Sequence, residues 1–423
     1  MNDLLNHRTV LKWASVLPLL GSIAAASISA QTKYDLLLKG GHVIDAKNKI
    51  SAVRDVAIAG GRIALVAENI PSSDARKTID VSSLYVTPGL VDIHEHVFST
   101  SMNRQYTGED CVRADSFSFR SGVTTVVDAG CTGWRNFGEF RDGVINKEKT
   151  RVFAMLNIVG SGMGGRMDVE QNTKDMDPAR TAEVARRNSD VVVGIKVAHY
   201  AGPEWIAVDR GVEAGTLANI PVMVDFAEFR PERPFQELVL KHLRPGDIYT
   251  HQYLQVVPML DAQGQVLPYL FEARKRGIIF DVGHGAGSFF FRQAIPAIKQ
   301  GFVPDSISTD LHADSMNAGM KDMLNLMSKF LNMGMSLDDV IACSTWHPAR
   351  EIHHEELGSL SVGSDADVAV LRLVHGKFGF VDSGHLRMNG DKMLVGEMTV
   401  RAGRIVWDLN GMSAQDWENA KGN

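Results

Sequence analysis

The stretch Val86-Thr87-Pro88-Gly89-Leu90-Val91-Asp92-Ile93-His94-Glu95-His96 governs how the rest of the chain is read. A Pro-Gly turn leads into Leu90, Val91 and Ile93, a short apolar run with the character of a buried strand. Side chains two apart on a strand leave from one face. His94 and His96 therefore aim at one point, as two imidazoles must to share a divalent ion. A bare His-x-His is weak evidence, so the weight falls on its surroundings.

Working outward, the following segments keep a steady rhythm. Apolar strands are expected over 90–97, 123–129, 151–159, 191–198, 221–226, 247–253, 278–282 and 305–310, eight in all. Amphipathic helix candidates lie over 177–188, 236–243, 268–276, 291–299 and 320–333. Alternating strands and helices imply a parallel sheet in an α/β fold, and eight units suffice for a closed (β/α)8 TIM-like barrel. The competing open sheet lacks a phosphate-binding glycine signature after its first strand. Short β-like runs flank this middle at both ends, punctuated by Gly40-Gly41 and Gly60-Gly61 and returning over 366–373, 392–400 and 404–407. They predict a small composite β-sandwich domain from 31–86 and 357–423, with the barrel over 87–356.

The 423 residues are 44% hydrophobic and 22% charged, with a formal net charge of -6 and no run of like charges. That composition is globular and argues against a nucleic-acid partner. At the start, Arg8 and Lys12 precede an apolar run broken by Pro18 and Gly21. This reads as a signal peptide over 1–30, too short and broken to span a bilayer, and predicts a periplasmic or secreted protein. No membrane span is expected in the mature chain, and a homo-oligomer is left open. Cys111, Cys131 and Cys343 are an odd, scattered set and read as buried small hydrophobes.

Reactive groups in a β/α barrel sit at the carboxyl ends of the strands. Six of the expected strands carry one there: His94 and His96, then Lys196, Asp225, His251, His284 and Asp310. Lys196 stands in an apolar strand, where a cation is costly unless paired. A desolvated neutral amine can add carbon dioxide and become an anionic, bidentate carbamate; the plainer reading is an ion pair with Asp225 or Asp310. His284 between two glycines, His312 two residues after Asp310, and His199 are candidate substrate contacts or partners of ligands. Arg166 and Arg230 lie in loops that could meet a substrate carboxylate, although solvated surface is the simpler reading.

Thr87–His96 resembles the opening signature of the amidohydrolase superfamily, which includes dihydroorotase and D-aminoacylase. Ser121-Gly122-Val123-Thr124-Thr125-Val126-Val127-Asp128-Ala129-Gly130, Gly283-His284-Gly285 and Ser308-Thr309-Asp310-Leu311-His312 are similar to its amidohydrolase/deacetylase-like metallohydrolases. The resemblance runs from about Tyr34 to Trp407. It implies that His94, His96 and Asp310 bind the more buried of one or two divalent ions, expected to be zinc. Carboxylated Lys196 would then bridge to a second ion held by His251. The chain departs from the pattern at Asp225, where a histidine is usual; Asp225 is either a direct ligand or an outer partner of His251 or His199. The implied activity is hydrolysis of an amide, N-acyl or cyclic amide bond of a small-molecule substrate, with Asp310 as the base. An ester or lactone would use the same groups, and a non-catalytic binding barrel is the rival from another class.

Overall fold

The structure is a computed structural model that describes residues 32–98, 111–163, 168–226 and 228–419. The expected signal peptide and Arg166 lie outside the described residues. Seven strands pair in chain order and all in parallel: Leu90–Glu95, Val123–Gly133, Arg151–Asn157, Val192–Ala198, Val222–Asp225, Ile248–Tyr249 and Ile279–Phe280. The segment expected to be the eighth strand makes single parallel bridges instead, Ser306 to Asp281 and Leu311 to Glu95. Its Asp310 has φ 51°, a left-handed turn that ends extended pairing. The sheet thus curls until both of its edges meet one segment.

Helices begin and end where local chemistry allows. Pro178–Arg187 opens with proline in its first turn and an Asp177 side chain that accepts from the Arg180 N–H. The helix expected from 320 starts later, as Met323–Met333, because the Asp322 side chain caps it; Gly334 at φ 111° closes it. The helix expected over 236–243 is instead one turn, Phe235–Glu237, running into the wider turn Leu238–His242. No described helix is long and apolar enough to cross a membrane.

A second, mixed sheet joins both ends of the chain. Its order is Arg404–Asp408, Arg387–Arg401, Val368–Val381, Tyr85–Pro88, Leu36–Asp45, Ile50–Ala59 and Arg62–Ala67, with Thr78–Asp80 also on Leu36–Asp45. Val368–Val381 runs antiparallel to Tyr85–Pro88. Leu38, Val56, Val86, Val370 and Val400 bury their faces together there. Pro88 leaves this sheet and Leu90 enters the parallel one, with only Gly89 between. A Cβ on Gly89 would lie 2.2 Å from Thr124 Oγ1, so the crossing needs a glycine.

Inside the curled sheet, Val91, Ile93, Met155, Met223 and Ile248 pack with Ala349, Ile352 and Leu357. Strict alternation from Val91 and Ile93 would turn Glu95 inward and His94 away. The pairing with the neighbouring strand slips between Asp92 and Glu95, the stretch that carries His94.

Candidate metal centre

The mouth of the curled sheet is built from residues at or just past strand ends, and the backbone there is strained. His199, His251 and Asp310 have φ of 49°, 62° and 51°. Such left-handed conformations are costly for residues other than glycine and persist where surrounding structure enforces them. Gly283 (φ 45°) makes room: a Cβ there would lie 2.2 Å from Thr250 Oγ1 and 2.7 Å from His251 Nδ1. A Cβ on Gly285 would meet Asp310 Oδ2 at 2.3 Å, and one on Gly130 would meet the Lys196 stem at 2.7 Å. The glycines beside His284 thus admit the side chains of His251 and Asp310.

Two groupings share the mouth. In the first, Asp310 Oδ1 lies 3.0 Å from His96 Nε2 and 3.6 Å from His94 Nε2. Ligand atoms of His94, His251 and Asp310 all lie within 4.8 Å of one another, and all three residues are buried. In the second, Asp225 Oδ2 lies 3.2 Å from His251 Nε2, 3.4 Å from Lys196 Nζ and 3.5 Å from His199 Nε2. Lys196, fully buried, also places Nζ 3.1 Å from His94 Nε2 and so links the two.

Partners behind the histidines set which nitrogen faces inward. Thr250 Oγ1 donates its proton to Asp281 Oδ2 (2.7 Å), so it accepts from His94 Nδ1–H at 3.0 Å. The Gly283 carbonyl can only accept, so His251 Nδ1 carries a proton toward it as well. Both arrangements leave Nε2 with its lone pair toward the mouth, the form a metal binds once the imidazole is neutral. Ser306 and Ser308 also donate to Asp281, which gives this buried carboxylate three hydroxyl partners.

Electrostatics follow these contacts. Burial, and then the Lys196 cation, push His94 well below the usual histidine range. Burial works to raise Asp310, but His94, His312 and His96 outweigh it and hold the carboxyl well below the usual range. Asp225 is held down in the same way by His251, His199 and Lys196. Burial opposes a charge on His199, yet Asp225 and Glu170 raise it to about 9.

The side chains of His94, His96, Lys196, Asp225, His251 and Asp310 therefore meet, and His199, from outside the strand-end set, joins them through Asp225. His312 belongs beside them, with its ring nitrogen 2.8 Å from the Asp310 carbonyl and 3.4 Å from Oδ1, at the cap of Ala313–Asn317. His284 does not open on the mouth. It is fully buried, accepts from Lys329 Nζ at 2.7 Å and stacks on Phe289, which corrects the expectation of a substrate contact. Lys329 also donates to the Gly319 and Val381 carbonyls, so this pair pins Met323–Met333 to Val368–Val381. Arg230 pairs with Glu228. Glu170 was not foreseen: it is buried in the short 3-10 turn Val169–Gln171 and lies 2.8 Å from His199 Nδ1. Asp168 and Asp175 stand close by in the sequence, so nothing local singles Glu170 out.

Comparison with known proteins agrees with this geometry. Residues 291–400 match the Amidohydrolase family. The chain is 34% identical over 346 residues to a deacetylase of Agrobacterium fabrum, across 80% of this chain and 81% of that one. Its fold is similar to the crystal structure of an adenine deaminase (TM-score 0.80, 28% identity, 89% of this chain and 100% of that one). It is similar also to that of a dihydroorotase (TM-score 0.76, 28% identity, 88% and 99%). The chain belongs to the amidohydrolase family. It is a metal-dependent hydrolase of non-peptide carbon–nitrogen bonds, with divalent ions as the family's cofactor. Three imidazoles and a carboxylate brought together at the end of the curled sheet fit such an ion.

Proposed function

We propose that this chain hydrolyses an N-acyl or cyclic amide bond of a small molecule at the mouth of a complete (β/α)8 barrel, with 305–310 as the eighth strand. The observation that carries this reading is the convergence of His94, His96, His251 and Asp310. These four would hold one divalent ion, zinc by the preference of three imidazoles and a carboxylate. When bound, the ion supplies a Lewis acid that polarises the scissile carbonyl and acidifies water.

The chain's own groups do the rest. Asp310, ionised and with 7% of its surface exposed, takes the proton of the attacking water and passes it to the leaving nitrogen. Thr250 and the Gly283 carbonyl keep His94 and His251 in the ligating tautomer. Asp225 holds Lys196, His199 and His251 around one carboxylate oxygen. In this reading Asp225 is an outer partner and Lys196 remains its counter-ion, with His199 and His312 facing substrate. The second reading, carboxylated Lys196 bridging two ions, is favoured by the 3.1 Å approach of Nζ to His94. An ester or lactone would need no further group.

Further parts of the proposal are the division into a barrel over 87–356 and a β-sandwich over 31–86 and 357–423, and export by residues 1–30. The test is metal analysis and intact mass of purified protein, followed by turnover of N-acyl amino acids and dihydroorotate-like rings before and after chelation. One ion per chain and unmodified Lys196 support the first reading; two ions with a carbamate support the second. Protein that takes up no zinc or manganese and turns over none of these substrates would sink both.

A further inference from the structure

One pair of side chains beside the mouth has a chemistry that hydrolysis leaves unused. Cys111 and Cys131 are both buried, and their Sγ atoms lie 3.4 Å apart. On its other side, Cys131 Sγ lies 3.2 Å from Nδ1 of His96. A continuous line of contacts thus runs from a candidate ligand, through one sulfur, to the next. Asp128 fixes the middle of the line: its carboxylate accepts from the backbone N–H of Cys131 at 2.9 Å and from that of Val97 at 2.9 Å. Cys343 belongs elsewhere, beside the Pro304 carbonyl and His347.

We propose that Cys111 and Cys131 form an oxidisable dithiol, and that closing it to a disulfide loosens the metal centre through His96. The proposal rests on His96 being a ligand. A disulfide bond is about 2.05 Å long, so the two sulfurs need to approach by only about 1.4 Å. Hydrogen peroxide is a sufficient oxidant. One thiol sulfur bonds a peroxide oxygen as the O–O bond breaks, and a sulfenic acid and one water result. The second sulfur then attacks the first, the S–O bond breaks, and the oxygen leaves as a second water with that thiol's proton. Two thiols lose two electrons and two protons in total, and one peroxide becomes two waters.

The consequence follows from hydrogen bonding. To ligate through Nε2, His96 must carry its proton on Nδ1 and place it against an acceptor, and Cys131 Sγ occupies that position. Disulfide formation draws this sulfur toward Cys111 and away from the ring. Loss of such a partner typically weakens a metal site by about 10–100-fold.

The experiment treats metal-loaded protein with hydrogen peroxide and reads three quantities: thiols per unfolded chain, linked peptides by non-reducing mass mapping, and metal retained on dialysis. Thiols should fall from three to one, with Cys111 and Cys131 linked. Metal affinity should drop by about 10-fold or more and return with dithiothreitol and added metal. Cys111→Ser leaves Cys131 against His96 and should keep its metal after the same treatment. Three persisting thiols would overturn the proposal, as would a linked chain with unchanged metal affinity or a Cys111→Ser protein that loses metal equally. Reduced protein that binds no metal would overturn the metal-centre assignment instead, and the mass map would still score the linkage.

Discussion

Asp310 combines features that a base at this site requires: a carboxyl kept ionised by three histidines, slight exposure, and contact with His96. Asp310→Asn preserves shape and one oxygen but cannot take a proton. We expect the variant to retain metal in elemental analysis while turnover falls about 10²–10⁴-fold; undiminished turnover would remove Asp310 from this role. His199 offers a separate test on chelator-treated protein. Its pKa rises from 6.5 to about 9 on folding. A raised pKa stabilises the fold fully below 6.5, and the contribution fades as pH rises through about 9. The denaturant midpoint should therefore fall with pH across that window, and the fall should be shallower in His199→Gln. Equal slopes in the two proteins would mean the charge on His199 does not couple to folding.

The strand ends and their turns aim these side chains. The first parallel strand slips its register in the stretch that carries His94, and His251 fits because Gly283 has no side chain. Gly283→Ala adds a methyl group where Thr250 and His251 already stand, on a backbone at φ 45°. We expect about 1–3 kcal/mol of destabilisation together with reduced metal occupancy, measured by denaturant unfolding and metal content. A variant with wild-type values in both would show that the turn can relax without disturbing the ligands. The same logic explains where helix expectations went astray. Asp322, a cap, overrides the apolar pattern that suggested a start at 320, and the 236–243 segment widens into a turn its periodicity does not announce.

Across the molecule, candidate ligands from the first, sixth and last segments of the curled sheet are gathered at one point, so an ion bound there would tie together the edges of the sheet. Arg151 ties the two sheets elsewhere, through Asp365 and Asp367. Removal of metal should lower the thermal midpoint, because a ligand that binds only the native state stabilises it by about 2.7 kcal/mol at 100 times its Kd. Calorimetry before and after chelation measures this, with zinc re-addition as the control. A midpoint that ignores both treatments would argue that no ion contributes to the fold.

Local chemistry made much of this legible in the chain alone. Period-two spacing marks His94 and His96, the alternation of apolar strands with amphipathic stretches marks the parallel sheet, and a lysine in an apolar run marks Lys196. All are short-range patterns, and backbone geometry translates them directly. Glu170 behind His199, Asp281 behind Thr250, the Lys329–His284 pin and the Cys111–Cys131 contact carry no such pattern. Their partners lie 20 to 45 residues away along the chain, and only the curl of the sheet brings them within reach. The role of Asp225 is of the same kind: a carboxylate can ligate or pair, and the choice belongs to the cations that the curled sheet sets around it.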